Sequence, residues 1–280
     1  LKLDLGTNNP ESVIEQDGTV YGWDVAKGVV WRYSMNGLFP ISSYKATRYF
    51  SDLGKRLYKQ PRKSTRVFGG FDREFGCYLM TFVADGVVVE SPFTISFDEG
   101  KNGWNCYVPY TPSYYGRIGK RLVSFVAGAL WLHESDNVPY NNFYGTQYQS
   151  LWRFVCNTSP KSVKLLWNIE LQADNQWECS SITTPPNKDY AQGMRSRIKA
   201  ANWSRQEGVW KADFLRDMND TSARFLNIIN PIQRELNALL YGRPLRAEAF
   251  EIELRLVDST KKSILKRIDI EFSLSMETKV

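Results

Sequence analysis

Apolar and polar residues alternate along much of this chain, most cleanly near its C-terminal end. Between 264 and 276, Ile264, Ile268, Ile270, Phe272, Leu274 and Met276 share one parity, with Lys266 the single charged residue among them. Arg267, Asp269, Glu271, Ser273 and Ser275 occupy the other. A period of two with one apolar side predicts a half-buried antiparallel strand. Val163, Leu165, Trp167, Ile169 and Leu171 predict a second such strand, and Ile252, Leu254 and Leu256 a third. Turn signals separate the runs: Gln16-Asp17-Gly18, Met35-Asn36-Gly37, Ala84-Asp85-Gly86 and Lys101-Asn102-Gly103.

The rhythm differs between the two halves. In 1–148, short aromatic-bearing strands follow glycine turns, as in Gly18 to Trp23, Lys27 to Tyr33, Gly76 to Phe82, Arg121 to Phe125 and Gly128 to His133. Hairpins at this spacing predict β-propeller-like blades, too few here to close a ring. The chain starts at Leu1 in mid-pattern, which reads as a piece of a longer polypeptide whose other blades complete the propeller. In 149–280 longer strands are predicted near 150–157, 162–172, 176–183, 194–202, 208–214, 246–257 and 263–277, the number expected of an antiparallel β-sandwich. A short helical insertion at 219–241 interrupts them. Asp220-Thr221-Ser222 offers a cap, Pro231 starts or kinks the helix, Ile232, Leu236, Leu239 and Leu240 form one stripe, and Gly242 ends it. The expected fold is therefore all-β: propeller-like blades, then a sandwich with this insertion.

Composition sharpens the picture in one respect. Aromatic residues reach 14%, and such side chains fit half-buried pleated surfaces and anchor interfaces. The net charge of +6 is modest for 280 residues, so nucleic-acid contact is not expected. The densest basic stretch, Lys55 to Arg66, reads as a solvated loop between strands, with an electrostatic dock as the sharper reading. No apolar run approaches the roughly 20 residues that cross a bilayer, so membrane insertion is not expected either.

Candidate chemistry is sparse. Cys77, Cys106, Cys156 and Cys179 lie far apart, without the short spacings of a metal site, and read as buried thiols of a reducing cytoplasm. His133 is the only histidine, so a Ser-His or Cys-His mechanism would have to use it; at the end of a β run it reads as structural. Phosphate-binding glycine loops and nucleophile elbows are absent from the sequence. Neither a catalytic centre nor a cofactor is expected. Ser96-Phe97-Asp98-Glu99-Gly100-Lys101-Asn102-Gly103-Trp104 resembles the Asp-box of sialidase-type propellers, with Asn102 in place of threonine and Trp104 one place late. In that box the aspartate holds its own turn. An alternative reading makes the protein a glycan-binding or glycan-cleaving module for a bacterial surface polysaccharide, with Asp98, Trp104, Tyr110 and Tyr114 as contact residues.

The middle of the chain carries a resemblance. It lies in Thr94 to Glu99, Asn102-Gly103-Trp104, Tyr107 to Pro112, Gly119 to Phe125, Gly128 to His133 and Asn141 to Gly145. Asn168-Ile169-Glu170-Leu171 and Arg243 to Glu248 continue it, so that the order of elements matches over residues 18 to 277. These runs resemble the large tail proteins of podovirus-like phages of gut Bacteroidetes, and most closely the muzzle family at the tail tip of crAss-like phages. Residues 60 to 65 depart from that pattern as a local insertion, and the helix at 232–241 has no placed counterpart. The resemblance implies a multimeric virion subunit, assembled in the host cytoplasm, with no enzymatic residues to carry over. Its partners would be copies of itself and other phage tail proteins, with a host surface glycan as a further contact. In such an assembly Phe225, Ile228, Ile232, Leu236, Leu239 and Tyr241 of the insertion are the candidate subunit contacts.

Overall fold

A computed structural model describes residues 4–59, 65–84, 92–188, 190–220, 222, 225 and 227–275. They divide into two compact units, Leu1–Val138 with Phe143–Thr146, and Pro139–Asn142 with Gln147–Val280. Both consist mostly of β-strands in antiparallel sheets.

Unit 1 opens with a four-stranded meander, β1 (Ile14–Gln16), β2 (Thr19–Asp24), β3 (Val29–Ser34) and β4 (Gly37–Pro40). Gln16 pairs with Thr19 across the two-residue turn Asp17-Gly18, where both φ angles are positive, the geometry that matches strand twist. Helix α1 (Thr47–Tyr58) follows, then a second meander of β5 (Thr65–Asp72), β6 (Cys77–Ala84), β7 (Phe93–Asp98) and β8 (Gly103–Val108). Three strands complete the unit: β9 (Tyr114–Ile118), β10 (Arg121–Val126) and β11 (Ala129–Leu132).

The second meander is covered on both faces, which explains the near-continuous apolar runs of β5 and β6. Val67, Tyr78, Met80 and Phe82 point into a core shared with Trp23, Val30 and the helical Phe50 and Leu53. Phe68 and Leu79 point the other way, into a smaller core with Tyr110, Tyr115 and Leu122. A polar link crosses that second interface. The Thr81 hydroxyl lies 2.7 Å from that of Thr94 and 2.6 Å from the Tyr115 phenol, while Thr94 donates to the Tyr110 carbonyl at 2.6 Å.

Helix α1 corrects the sequence reading of Lys55 to Arg66. Lys55 and Arg56 belong to its last turn, Leu57 is buried, and Arg66 lies in β5. Residues 60–64 of that stretch lie outside the described residues, as do Asp85 and Gly86 of the expected turn.

A two-stranded hairpin, β12 (Asn142–Phe143) and β13 (Thr146–Gln147), falls where the chain passes between the units. Unit 2 then contains β14 (Leu151–Cys156), β15 (Lys164–Ala173), β16 (Trp177–Thr183), β17 (Arg195–Ile198), β18 (Ser204–Gln206) and β19 (Val209–Asp213). After helix α2 (Pro231–Tyr241) come β20 (Arg246–Ala247), β21 (Phe250–Leu256) and β22 (Leu265–Leu274). One sheet has the order β14-β21-β16-β17; the other is β18-β19-β15-β20, with β22 also paired to β15. Ile169 and Leu171 from the second sheet and Ile182, Ile252 and Leu254 from the first meet in one core.

The alternation in β15 breaks where its pairing with β22 shifts register between Leu166 and Asn168. Leu166 is buried on one side of the shift and Ile169 and Leu171 on the other, so Trp167 turns outward and is half exposed. An unpaired residue in one strand reverses which parity faces the core. A second shift opposite Gln172 and Ala173 brings Leu265 rather than Ile264 onto the core. Ile268, Ile270 and Phe272 pack as their parity predicts. Met276 lies outside the described residues.

Candidate functional site

The insertion of unit 2 is built on a clamped neck. The Asp220 carboxylate accepts the backbone N–H groups of Ser222 at 2.9 Å and Arg243 at 3.0 Å, and the Asp217 N–H donates to the Arg243 carbonyl at 2.8 Å. Burial pushes the Asp217 carboxyl up. Burial acts the same way on Asp220, but its backbone hydrogen bonds and Arg243 outweigh that and hold it below the ordinary value. Asp220 therefore closes the base of the insertion and does not cap the helix. The cap is Asn230, whose side-chain oxygen accepts from the Ile232 and Gln233 N–H groups at 3.0 and 3.3 Å, with Pro231 in the first turn. The helix ends at Gly242, whose backbone turns extended, and a Cβ there would lie 2.3 Å from the Ala238 carbonyl oxygen, so the position needs glycine.

The helix turns its faces unequally. Ala238 and Leu239 are buried in unit 2, and Glu235 pairs with Arg197. Ile232, Leu236 and Leu240 are exposed at spacings of four residues on one helix stripe, and Ile229, just before the cap residue Asn230, is exposed too. Ile229 is 94% exposed and Ile232 72%, extreme for isoleucine in a folded domain. Of the expected contact residues, Ile232, Leu236 and Tyr241 are exposed and Ile228 is half-buried. Phe225, which precedes the helix, and Leu239 are buried, and the helix is held by the side that carries Leu239. Ile229 lies outside the helical stripe, and the helical spacing of the sequence gives no signal for its exposure.

The four glycan candidates do not converge. The buried Asp98 accepts the Lys101 N–H at 3.0 Å and pairs with its ammonium at 3.0 Å, holding its own turn as an Asp-box does. Burial raises that carboxyl, yet the bonds from Lys101 prevail and leave it below its ordinary value. The Trp104 indole donates to the Ile41 carbonyl at 3.2 Å, its ring packed 4.5 Å from Phe50 and 5.3 Å from Phe97. Tyr110 is buried against His133 and Phe143. Tyr114 alone is exposed, at one end of a cross-strand row with Phe125 and Leu130.

His133 sits in a buried polar knot. Its Nε2 lies 2.7 Å from the Ser124 hydroxyl, which is itself 2.8 Å from the Tyr144 phenol. Ser124 has no exposed surface, so this Ser-His pair presents no nucleophile to solvent. Burial lowers the imidazole pKa. All four cysteines are free thiols: Cys77 and Cys179 are buried, Cys156 is half-buried, and Cys106, against expectation, is exposed on β8. Burial pushes the Cys77 thiol up to about 11. Among the described residues no three His, Cys, Asp or Glu side chains are placed to hold a metal ion, and no helix is long and apolar enough to cross a membrane.

Comparison with known proteins picks out unit 2. Residues 138–217, which include β14 to β19, match the Crassvirus muzzle protein C-terminal domain. The chain resembles the muzzle proteins of crAss-like phages. It is thus similar to a phage structural protein, a virion component. The muzzle match ends at Asp217, where the clamped neck begins, so the α2 stripe lies beyond it. No curated protein matches the chain.

Proposed function

We propose that this chain is a structural subunit of a phage tail tip, working by multimeric assembly and not by catalysis. The match of 138–217 to a muzzle protein domain carries this reading. Four-stranded meanders packed face to face favour propeller blades in unit 1, and two sheets around one core favour a sandwich in unit 2. The subunits assemble in the host cytoplasm and are retained in the virion.

The contact we assign is the α2 stripe. Three exposed aliphatic side chains on one helix face, with Ile229 exposed just before the cap, stabilise association when covered, at about 25 cal/mol per Å² of apolar surface. They meet a neighbouring copy or another tail protein. The Tyr114, Phe125 and Leu130 row offers unit 1 a second aromatic face for the same purpose. Immunogold labelling of virions of the encoding phage tests the placement. Gold at the distal end of the tail is the expected result; gold on the capsid, or virions without label, would overturn it.

A further inference from the structure

Unit 2 contains an open sheet edge. Strand β22 is ten residues long and pairs on one side with β15. Among the described residues no strand lies on its other side. The other sheet-end strands are shorter: β14, β17, β18 and β20 have six, four, three and two residues. Long open edges display unpaired backbone groups that can take up another strand.

We infer that the free edge of β22 pairs antiparallel with β22 of a second copy, joining two sheets into one. Charge selects this occupant and its register. The outward parity carries Arg267, Asp269 and Glu271, all exposed. Within one copy Arg267 Nε lies 2.6 Å from an Asp269 carboxylate oxygen, so both already stand on the same face. A two-fold axis at Ile268 sets Arg267 of each copy opposite Asp269 of the other, twice over. Ile268 then faces Ile268, and the regular run ends at Lys266, the bulged residue of the shift opposite Ala173. Neighbouring registers are worse. An axis at 267 opposes two arginines, one at 269 sets two aspartates together although it also pairs Arg267 with Glu271 twice, and one at 270 sets Asp269 against Glu271 twice. Like charges directly opposite destabilise a strand pair.

The pairing rests on the assembly half of the reading above and not on the tail-tip location. A two-fold contact is isologous, so together with a contact elsewhere that closes a ring it requires an even copy number. The test is native mass spectrometry of the 280-residue chain as wild type, as Arg267→Asp, as Asp269→Arg, and as an equimolar mixture of the two variants. Wild type should give even-numbered species. Each variant alone opposes like charges at both positions and should associate about tenfold more weakly or worse. The mixture restores both opposite-charge pairs and should recover wild-type association, although each variant lacks its own Arg267–Asp269 bridge. Variants that associate like wild type, or a mixture of folded variants that stays dissociated, would overturn the pairing and leave assembly through α2 standing. A wild-type monomer would overturn both. If a variant fails to fold, hydrogen exchange of wild-type 265–274 decides: slowing with protein concentration supports the pairing, and unchanged exchange refutes it.

Discussion

Gly54 of α1 packs so closely on Gly28 that a Cβ on Gly54 would stand 2.5 Å from the Gly28 Cα. Gly28 has a φ of +63°, and a Cβ there would lie 2.7 Å from the Phe50 carbonyl oxygen. The helix thus rests backbone to backbone on the turn between β2 and β3. That contact explains a glycine inside a helix, where it costs about 1 kcal/mol relative to alanine. Gly54→Ala should favour the isolated helix yet destabilise the protein by about 1–3 kcal/mol, because the overlap is with backbone that cannot move aside. Chemical denaturation of the variant measures it.

Lys164 is fully buried at the start of β15. Its ammonium donates to the Ser159 carbonyl at 3.3 Å, the Ser162 carbonyl at 3.0 Å and the Glu248 carbonyl, which uses all three of its protons. Lys164→Met keeps the length of the side chain and strands those acceptors. It should cost about 1–3 kcal/mol, again by denaturation, since part-buried carbonyls left without donors cost more than the bonds gain.

The imidazole of His133, the only histidine, titrates below its ordinary value because burial disfavours its charged form. Below pH about 6.5 the unfolded chain binds a proton that the folded chain refuses. Stability contributed by neutral His133 is therefore complete above that pH and declines as pH falls toward the depressed folded value. An NMR titration of the ring should show a midpoint below about 6.5, and His133→Asn should flatten the stability profile just below that pH.

The two sides of α2 separate folding from assembly. Leu239→Ala removes buried side chain and should destabilise the chain by about 2–5 kcal/mol. Ile232→Asp with Leu236→Asp alters exposed positions and should leave the thermal transition nearly unchanged while weakening association. Thermal melts beside sedimentation measurements distinguish the two.

Many of the strands can be read from the chain, because alternation, turn residues and burial agree there. β21 is the clearest case, with Ile252, Leu254 and Leu256 all buried. Where local pattern and tertiary packing part, reading by alternation failed. Trp167 follows the apolar parity of β15 but faces outward, because a register shift beside it depends on β22, about a hundred residues away. Leu57 falls in the basic run from Lys55 to Arg66 that reads as a loop, yet α1, which has no side-chain cap, carries it with Phe50 and Leu53 into the core. For the candidate site, the helical stripe was legible. Which of its residues face inward was not, since Leu239 and Leu240 are neighbours in sequence and opposite in burial. The open edge of β22 has no local signature, because it exists only once the sheet order is known.

Assembly is the central claim, and native mass spectrometry of the 280-residue chain tests it most directly. The account predicts a discrete multimer for wild type that falls to the pair held by β22 in Ile232→Asp/Leu236→Asp. A wild-type chain that stays monomeric at micromolar concentration would contradict it.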